Sequence, residues 1–580
     1  MRDSHRWKII GAAICAAQLG AMPRPIESQP APDPPPGEEV AQVASASVEE
    51  PAETGTAKPP SVEPPDGKWL LEEDGRRYFI ETIPKGVEGE DWVWIGEDEI
   101  RIYGGLPLDV ATHDADTFSV KVYEILPYKK TKTAPTPPSE EELAELAASY
   151  RPDGVVEGDV LRFADFDRGL PRSGQWRNGF DVADMNGDGH LDIVFGAPRK
   201  GLNRPHVFLG DGQGSWRLWD ATYPSLSFDY GDAEAEDFDG DGHLDIALGM
   251  HLIGVVVLKG NGAGKFVPWT EGIGRQSQDE ESGPSFSSRA ITAADWNQDG
   301  KPDLVAFGEG MGSARRKTAS NGIMVYVNDG DGTWTGQAVP SRYFGDAVDV
   351  GDVNGDGRPD VAAANSTIGS KEILYLGKED GTWELTAVDG IRRGAWIKSV
   401  ALARLDGDGL DDVLVGYSNS DLDGVWRTGV DVIHGSRDGD GRRRTLFAAE
   451  SRATIYALDT GDVDGDGRVD VVALTGHGEA WVFLGREDGR FLKEASPELP
   501  QPAPGCFGYG LRLVDLDGDG RDEIVASFAG EPTGLPGITS EPGCPGQGSV
   551  RVWAARPAAG EKSGSAGRPA RAAGPDPGEP

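Results

Sequence analysis

A nine-residue acidic motif recurs seven times after residue 170, and it constrains the fold more than any other feature of the chain. Its form is Asp-x-Asp/Asn-x-Asp-Gly-x-x-Asp, followed each time by an aliphatic run. The copies begin at intervals of 52 to 58 residues, at Asp184, Asp237, Asp295, Asp352, Arg404, Asp462 and Asp515. A repeat of this period is typical of architectures in which each copy forms one supersecondary unit.

Each period has the sequence pattern of four antiparallel strands. The acidic motif separates two strand-like runs, and a third run enters a Gly-rich turn, as at 207–212 and 325–330. Gly and Asn/Asp supply the positive φ that tight hairpin turns need. Aromatic residues commonly follow the turn, namely Trp216, Phe266, Trp334, Trp383 and Phe491. Four strands per period are typical of a propeller blade. The sequence therefore predicts an all-β chain with a seven-bladed β-propeller, and an open solenoid of stacked sheets is the alternative.

The two ends of the repeat region carry incomplete blades. The last copy stops after a third strand at 550–553, and a strand-like run at 160–164 precedes the first acidic motif. We predict that these two runs pair, because pairing would close the ring and remove an open sheet edge.

The acidic motifs predict calcium sites in the hairpin loops of the blades. Ca²⁺ takes six to eight oxygen ligands, and alternate Asp or Asn residues turn several oxygens toward one point. Positions one, three, five and nine would supply side chains, and position seven its backbone carbonyl. The predicted ligands are Asp184, Asn186, Asp188, His190, Asp192; Asp237, Asp239, Asp241, His243, Asp245; Asp295, Asn297, Asp299, Lys301, Asp303; Asp352, Asn354, Asp356, Arg358, Asp360; Asp406, Asp408, Asp412; Asp462, Asp464, Asp466, Arg468, Asp470; and Asp515, Asp517, Asp519, Arg521, Glu523. Arg404 replaces the first acid of blade five, so we expect about six ions and a weakened or empty fifth site.

An EF-hand and a simple tight turn are the alternatives to a β-hairpin calcium site. An EF-hand needs Glu at position twelve and flanking helices, whereas these motifs have Phe195 or Leu248 there and β-rich flanks. The Asp and Gly residues would also suit simple tight turns. Seven copies with acids at the same alternating places favour metal binding. The motifs carry -21 of the chain's net charge of -41, so we expect bound Ca²⁺ to stabilise the blades.

These repeats resemble the FG-GAP and VCBS repeat families, which are related to the integrin α-subunit propellers. The resemblance covers about residues 156–555, and blade one carries a close match to the family motif at 195–198, Phe-Gly-Ala-Pro. It implies a propeller with calcium in its hairpin loops and a role in adhesion or ligand binding. It implies no single ligand.

The remaining sequence divides into short segments around the propeller at 156–555. We predict a signal peptide at 1–21, a disordered Pro/Glu-rich tether at 22–66, a small β-rich module at 67–130, a linker with a short helix at 131–155 and a disordered tail at 556–580. Ser139 and Glu142 form the pattern of a helix capping box. Lipidation of Cys15 and an uncleaved anchor remain alternatives to signal cleavage. Cys506 and Cys544 suit a disulfide in an oxidising compartment.

Charge and targeting limit the partners. A net charge of -41 argues against nucleic acid and anionic membrane surfaces, which would repel the chain. The signal sequence predicts a secreted or cell-envelope protein, with no membrane span once the signal is cleaved. We expect a glycan or a protein as the ligand.

Binding or adhesion is the predicted function, and catalysis is not expected. The sequence has no G-x-S-x-G or H-E-x-x-H motif, and propellers as a class host many functions. His190 and His243 are interpreted as solvated loop residues, and His113, His206, His251, His434 and His477 show no metal-ligand spacing. Trp176 and Trp296 would either stack on sugars or pack between blades. The alternatives are a propeller-based polysaccharide lyase or hydrolase, and a structural component of an envelope assembly.

Overall fold

The computed structural model describes six strand segments between residues 69 and 127, and residues 138–558 apart from 178, 200, 274–284, 311–317, 320, 340, 438–440, 502, 504 and 531–543. The chain forms two compact units, Met1–Thr136 and Pro137–Pro580. The predicted signal peptide, the tether and nearly all of the predicted tail lie outside the described residues. So do Cys15 and His113.

The described part of the first unit consists of strands. They are Trp69–Glu73, Arg76–Pro84, Val93–Ile95, Glu99–Ile102, Val110–Ala111 and Thr117–Pro127. The strand Thr117–Pro127 is central, because it pairs antiparallel with Arg76–Pro84, Glu99–Ile102 and Val110–Ala111. These strands lie where the sequence predicts a small β-rich module.

The second unit contains seven antiparallel sheets, numbered here as blades one to seven. Blade one has Phe180–Ala183, Asp192–Phe195, His206–Gly210 and Trp216–Leu218; blade two Gly231–Glu236, Asp245–Met250, Gly254–Lys259 and Val267–Pro268; blade three Ser288–Ala294, Asp303–Gly308, Ile323–Asn328 and Trp334–Val339. Blade four has Gly345–Gly351, Asp360–Asn365, Glu372–Gly377 and Trp383–Ala387; blade five Trp396–Ala403, Asp412–Ser420, Trp426–Ile433 and Arg443–Ala449. Blade six has Ile455–Gly461, Asp470–Thr475, Ala480–Gly485 and Phe491–Glu494; blade seven Phe507–Val514, Glu523–Ala529 and Gly548–Pro557. In a further two-residue parallel pair, Ser285–Phe286 with Thr318–Ala319, the first strand contacts the third strand of blade two.

The blades form a closed ring. The first strand of each blade contacts the first strand of the next, and that of blade seven contacts that of blade one. Neighbouring sheets bury each other on both faces, so second strands such as Asp245–Met250 are buried at every position. The core between blades seven and one, for example, joins Val525 and Val552 to Phe180 and Phe208. The predicted seven-bladed β-propeller is confirmed.

Ring closure occurs in blade seven, as predicted from the two incomplete ends. The strand Leu161–Asp165 is its fourth strand and pairs antiparallel with Gly548–Pro557. The register differs from the predicted one, because Leu161 pairs with Pro557 and Asp165 with Trp553. The residues before Trp553 instead pair with the second strand, Glu523–Ala529. A further segment, Val155–Gly158, adds a fifth, parallel strand to blade six.

The helix Glu140–Ser149 begins at the predicted capping box. The Ser139 hydroxyl accepts a hydrogen bond from the Glu142 amide at 3.2 Å, and the Glu142 carboxylate accepts one from the Ser139 amide at 2.7 Å. Tyr150, which follows the helix, is buried against blade five, where its hydroxyl donates to Asp421 at 2.9 Å and Arg392 stacks 4.0 Å from its ring. The end of the predicted linker is therefore fixed to the propeller.

The predicted disulfide is present. Cys506 and Cys544 are bonded, with their Cα atoms 4.6 Å apart. The bond joins the segment before the first strand of blade seven to the connection between its second and third strands.

Candidate metal centres

The seven acidic loops lie on one face of the ring. Each loop joins the first strand of a blade to the second, so all seven follow the same end of the innermost strands. The glycine at position six needs its conformational freedom, since Gly189 has φ of +87° and its counterparts are similar. Blade three also places the non-glycine residue Gln298 at φ of +58°.

The side chain at position one folds the loop around itself. In blade one, Asp184 accepts hydrogen bonds from the amides of Asp188 and Gly189 at 3.0 and 2.8 Å. The side chain at position three then accepts a hydrogen bond from the amide at position five, and the side chain at position five accepts one from the amide at position seven. In blade one, Asn186 accepts from the Asp188 amide at 2.8 Å, and Asp188 accepts from the His190 amide at 3.0 Å. This ladder is what the tight-turn interpretation predicts, and it also directs the acids toward one centre.

Several loops bring their oxygen donors close together. In blades two, six and seven, one carboxylate oxygen from each of positions one, three and nine lies within 4.8 Å of the others. These groups are Asp237, Asp239 and Asp245; Asp462, Asp464 and Asp470; and Asp515, Asp517 and Glu523. Donor sets made only of oxygen fit a hard divalent cation such as Ca²⁺. The acidic clusters are therefore able to hold metal.

Position nine has a structural role that the sequence did not reveal. The Asp192 carboxylate is fully buried and accepts from the amides of Met185 at 3.0 Å and Gly210 at 2.9 Å, so it ties its loop to the third strand. Asp245, Asp303, Asp360, Asp412 and Asp470 make the same two bonds in their blades. Burial raises the pKa of Asp192 to about 7 and that of Asp470 to about 8, because charge is poorly solvated there.

Basic side chains offset the charge of several loops. The residue at position seven pairs with the acid at position five in four blades: Lys301 with Asp299, Arg358 with Asp356, Arg468 with Asp466, and Arg521 with Asp519. Two more come from beyond the loop. Lys259 contacts Asp239 and lies 2.9 Å from Asp241, and Arg486 lies 2.7 Å from Asp464.

Blade five departs from the other blades. Arg404 pairs with Asp411, at position eight of the same motif, with Nε 3.1 Å from the carboxylate. His434, at the end of the third strand, lies with Nδ1 3.2 Å from both Asp406 and Asp412. The spacing along the sequence gives His434 no metal-ligand partners, whereas the fold places two carboxylates beside it. The reason is that pairing of the second and third strands brings a residue 22 positions away beside Asp412.

The tryptophans considered for sugar stacking are used in packing. Trp176 is buried and meets the rings of Phe195, His206 and Phe208 edge-on. Trp296 packs edge-on against Trp383 with ring centroids 3.9 Å apart. The alternative of packing is therefore correct for Trp176, whose ring is covered by protein.

The first strands also surround a central channel with a cavity of about 310 Å³. Near its loop end the lining includes Asp181, Glu234, Asp349, Asp459 and Arg512, each three residues before an acidic motif. Burial raises the pKa of Asp459 to about 6, an effect that the charge of Arg512 partly offsets. These acids lie inside strands, and only the placement of each strand at the ring's centre identifies them as channel residues.

The opposite mouth of the channel contains basic and aromatic side chains. The guanidinium carbon of Arg177 lies 5.6 Å from the centre of the Tyr230 ring and 5.1 Å from that of the Tyr509 ring. These two contacts connect blades one, two and seven. Arg289 and Lys398 approach the two oxygens of Asp346 at 2.5 and 2.6 Å. Burial acts to raise the pKa of Asp346, but these two charges outweigh it and hold that pKa well below its ordinary value.

A family model described as an FG-GAP-like repeat matches residues 184–248, 313–363, 352–415 and 462–526. Those segments span acidic loops and the strands that follow them in blades one, two, four, five, six and seven. The chain carries FG-GAP-like repeats in a seven-bladed β-propeller. The FG-GAP motif at 195–198 of blade one lies in and just after its second strand, where Phe195 is buried.

Three curated relatives share parts of this FG-GAP-repeat chain. Phosphatidylinositol-glycan-specific phospholipase D of Bos taurus is 36% identical over 101 residues (15% of this chain, 12% of the relative), and integrin alpha-4 of Xenopus laevis is 30% identical over 148 residues (22% and 14%). A rhamnogalacturonan exolyase of Bacillus subtilis (strain 168) is 24% identical over 266 residues (37% and 43%). The chain thus spans less than half the length of each of these relatives. Among solved structures, BBS1N in complex with ARL6DN is 14% identical with a TM-score of 0.40, covers 69% of this chain and 96% of that chain, and is too distant to carry an argument.

Proposed function

We propose that this protein is an exported, calcium-binding propeller that acts as a binding or adhesion module for a glycan or protein ligand. The observation that carries the proposal is the repetition of one acidic loop on the same face of every blade. The similarity to integrin alpha chains supports a binding or adhesion role at a coarse level.

Calcium would be held by the loops of six blades. Positions one, three, five and nine offer carboxylate or amide oxygens, and position seven offers a carbonyl, as in the ligand sets predicted from the sequence. When bound, the ion would supply positive charge to loops that hold half of the chain's net negative charge. The buried acids at position nine favour the same conclusion, because a nearby cation would stabilise their charged form.

The ligand would bind at the channel mouth opposite the acidic loops. Arg177, Arg289 and Lys398 supply positive charge there, part of which Asp346 balances, and Tyr509 supplies a half-buried aromatic ring. Such a combination fits an anionic glycan or an acidic protein segment, since basic groups pair with carboxylates and aromatic rings pack on apolar faces. The acidic loops on the other face would repel the same ligand.

The calcium part of the proposal is tested on the full chain after metal removal. Isothermal titration should show about six bound Ca²⁺ ions, and the thermal midpoint should be much higher in Ca²⁺ than in EGTA. A site saturated at a hundredfold excess over its Kd contributes about 2.7 kcal/mol. Equal midpoints and no heat of binding would leave the loops as metal-free turns.

The ligand part is tested with polygalacturonate as an anionic probe and dextran as a neutral one. The calcium-loaded protein should be retained by immobilised polygalacturonate and should not be retained by immobilised dextran. Tyr509→Leu at the mouth should weaken retention, whereas Tyr223→Leu, a ring that stacks on Phe266 away from the channel lining, should not. Equal retention of both variants would place the ligand elsewhere.

A polysaccharide lyase is the second candidate, because the exolyase relative matches 37% of this chain. Incubation with rhamnogalacturonan should then release products whose new double bond absorbs in the ultraviolet. We propose a non-enzymatic role, so we expect no such product.

The proposed location is outside the cytoplasm, in the secreted or cell-envelope fraction. The Cys506–Cys544 disulfide supports it, since such bonds persist in oxidising compartments. Across the described residues, no helix has the length and apolar character to cross a membrane.

A further inference from the structure

We propose that blade five carries a distinct metal site for a nitrogen-binding transition metal, with Zn²⁺ as the expected ion, formed by Asp406, Asp412 and His434. One donor atom from each residue lies within 4.8 Å of the others. The site stands apart from the calcium proposal, because it holds whether or not the other loops bind Ca²⁺.

The spacing of the donor atoms fits a small tetrahedral ion. His434 Nδ1 lies 3.2 Å from Asp406 Oδ2 and 3.2 Å from Asp412 Oδ1. Ligands that surround Zn²⁺ at 2.0–2.1 Å with tetrahedral angles are about 3.3 Å apart. A site with three protein ligands of this kind leaves a fourth position for water.

The donor chemistry differs from that of the other loops. Imidazole nitrogen favours zinc and its neighbours among the transition metals, whereas Ca²⁺ and Mg²⁺ prefer oxygen. Among the described residues, the three other clusters of metal-ligating side chains contain carboxylates only. His434 therefore changes the type of ion for which blade five is suited.

The loss of the acid at position one also favours an ion with four ligands over Ca²⁺ in blade five. Arg404 removes one carboxylate from the usual calcium set and pairs with Asp411 outside the cluster, at 3.1 Å. Ca²⁺ needs six or more ligands, so it loses more from this substitution than an ion that needs four.

The protein environment holds the three ligands in place. Asp412 is completely buried and accepts from the amides of Leu405 at 3.0 Å and Gly435 at 2.9 Å. The side chain of His434 is 20% exposed and that of Asp406 40% exposed, so an ion can enter from solvent. Buried carboxylates fixed by hydrogen bonds are typical supports of a metal site.

The competing interpretation is that His434 is itself the cation that neutralises Asp406 and Asp412. Lys259 occupies a comparable place at the end of the third strand of blade two, where it contacts Asp239 and Asp241. The two interpretations predict opposite effects on zinc affinity. If His434 is a ligand, loss of its side chain weakens zinc binding, whereas if His434 is an internal cation, its loss strengthens zinc binding. Removal of the imidazole separates them.

The test measures Zn²⁺ binding to the full chain after metal removal, with Ca²⁺ held in excess. Wild type should bind one Zn²⁺ that His434→Leu binds at least tenfold more weakly, and Co²⁺ in place of zinc should give a visible absorption band that the variant lacks. His477→Leu is the matched control, because His477 lies in the turn between the second and third strands of blade six, outside the described clusters of metal-ligating side chains. It should bind zinc like the wild type.

A second variant keeps the test decisive if His434→Leu misfolds. Asp406→Asn changes an exposed side chain, and it should also weaken zinc binding at least tenfold. Unchanged zinc affinity in either folded variant would overturn the site. So would tighter zinc binding by His434→Leu, which would show that the imidazole acts as an internal cation.

Discussion

Single basic residues set the charge of individual loops. In blade two, position three is Asp239, and Lys259 faces it from the third strand; in blade one, position three is Asn186 and the corresponding third-strand residue is Leu209. In blade six, position three is Asp464, and Arg486 pairs with it from just after the third strand. An extra acid in the loop is thus matched by a base from outside it, so loops with the same motif are not electrostatically equivalent.

Replacement of Lys259 should therefore strengthen calcium binding in blade two. Lys259→Met keeps most of the side-chain length but removes the charge that contacts Asp239 and Asp241. A bound cation would no longer have to displace an ammonium group, so the affinity of one site should rise about tenfold, or about 1.4 kcal/mol. Isothermal titration with Ca²⁺ measures this change.

The control for that experiment is Lys265→Met. Lys265 lies in the same blade, in the exposed turn after the third strand, and its amide rather than its ammonium group makes the described contact with Asn261. An equal rise in both variants would mean that general charge reduction, not the position of Lys259, controls the affinity.

At the scale of one blade, position nine fixes the acidic loop to the sheet. Asp192 accepts from one loop amide and one third-strand amide, and burial isolates both bonds from water. The Asp192→Asn variant would present an amide NH₂ group to one of those donors. A buried donor without an acceptor costs about 1–3 kcal/mol, so this variant should lower stability even in saturating Ca²⁺.

Asp188→Asn in the same loop is the comparison for that prediction. Asp188 is exposed, so its replacement should weaken calcium binding while it leaves the metal-free protein nearly as stable as before. Urea unfolding with and without Ca²⁺ measures both effects. If Asp192→Asn lost stability only in Ca²⁺, position nine would act chiefly as a metal ligand.

The blades were predictable from the sequence because each strand, loop and turn has a local signal. The acidic motif marks the first hairpin, and aromatic residues such as Trp216 and Trp334 mark the start of the outermost strands. Position nine is a predicted metal ligand that also ties the loop to the third strand, and in blade one its partner Gly210 is 18 positions away. His434 and Asp412 are similarly distant, so neither relation appears in the motif itself.

At the scale of the whole molecule, closure of the ring depends on one strand pair between distant parts of the chain. Residues 161–165 pair with 553–557, and the cluster of Leu161, Phe163 and Trp553 is buried there. Without this pair, blade seven would lack its outermost strand and would present an open edge.

A chain that ends after residue 552 should therefore lose cooperative unfolding and associate in solution. The matched control ends after residue 558, which keeps the whole pair. Calorimetry and size-exclusion chromatography at several concentrations compare the two. A truncated protein that remained monomeric with an unchanged midpoint would show that the ring does not need this strand.

The central channel gives the ring a pH dependence of its own. Burial raises the pKa values of Asp232 and Asp459 to about 6 in the folded protein, above their ordinary value of 3.8. The folded state therefore binds protons more tightly than the unfolded chain. The stability from this difference is fully present below about pH 4 and is lost as the pH rises through about 6.

In saturating Ca²⁺, the free energy of unfolding of the wild type should fall between pH 5 and pH 8 in part because of these two groups. Asp459→Asn should reduce that fall, although one of the amides of Thr460 and Leu513 loses its acceptor and the variant is less stable at every pH. The informative quantity is thus the slope of stability against pH. Asp389→Asn, with a side chain that is 81% exposed, should leave the slope unchanged. Equal slopes in all three proteins would mean that solvent in the channel keeps Asp459 ionised, and the charge of Arg512 would then suffice to balance the acids around it.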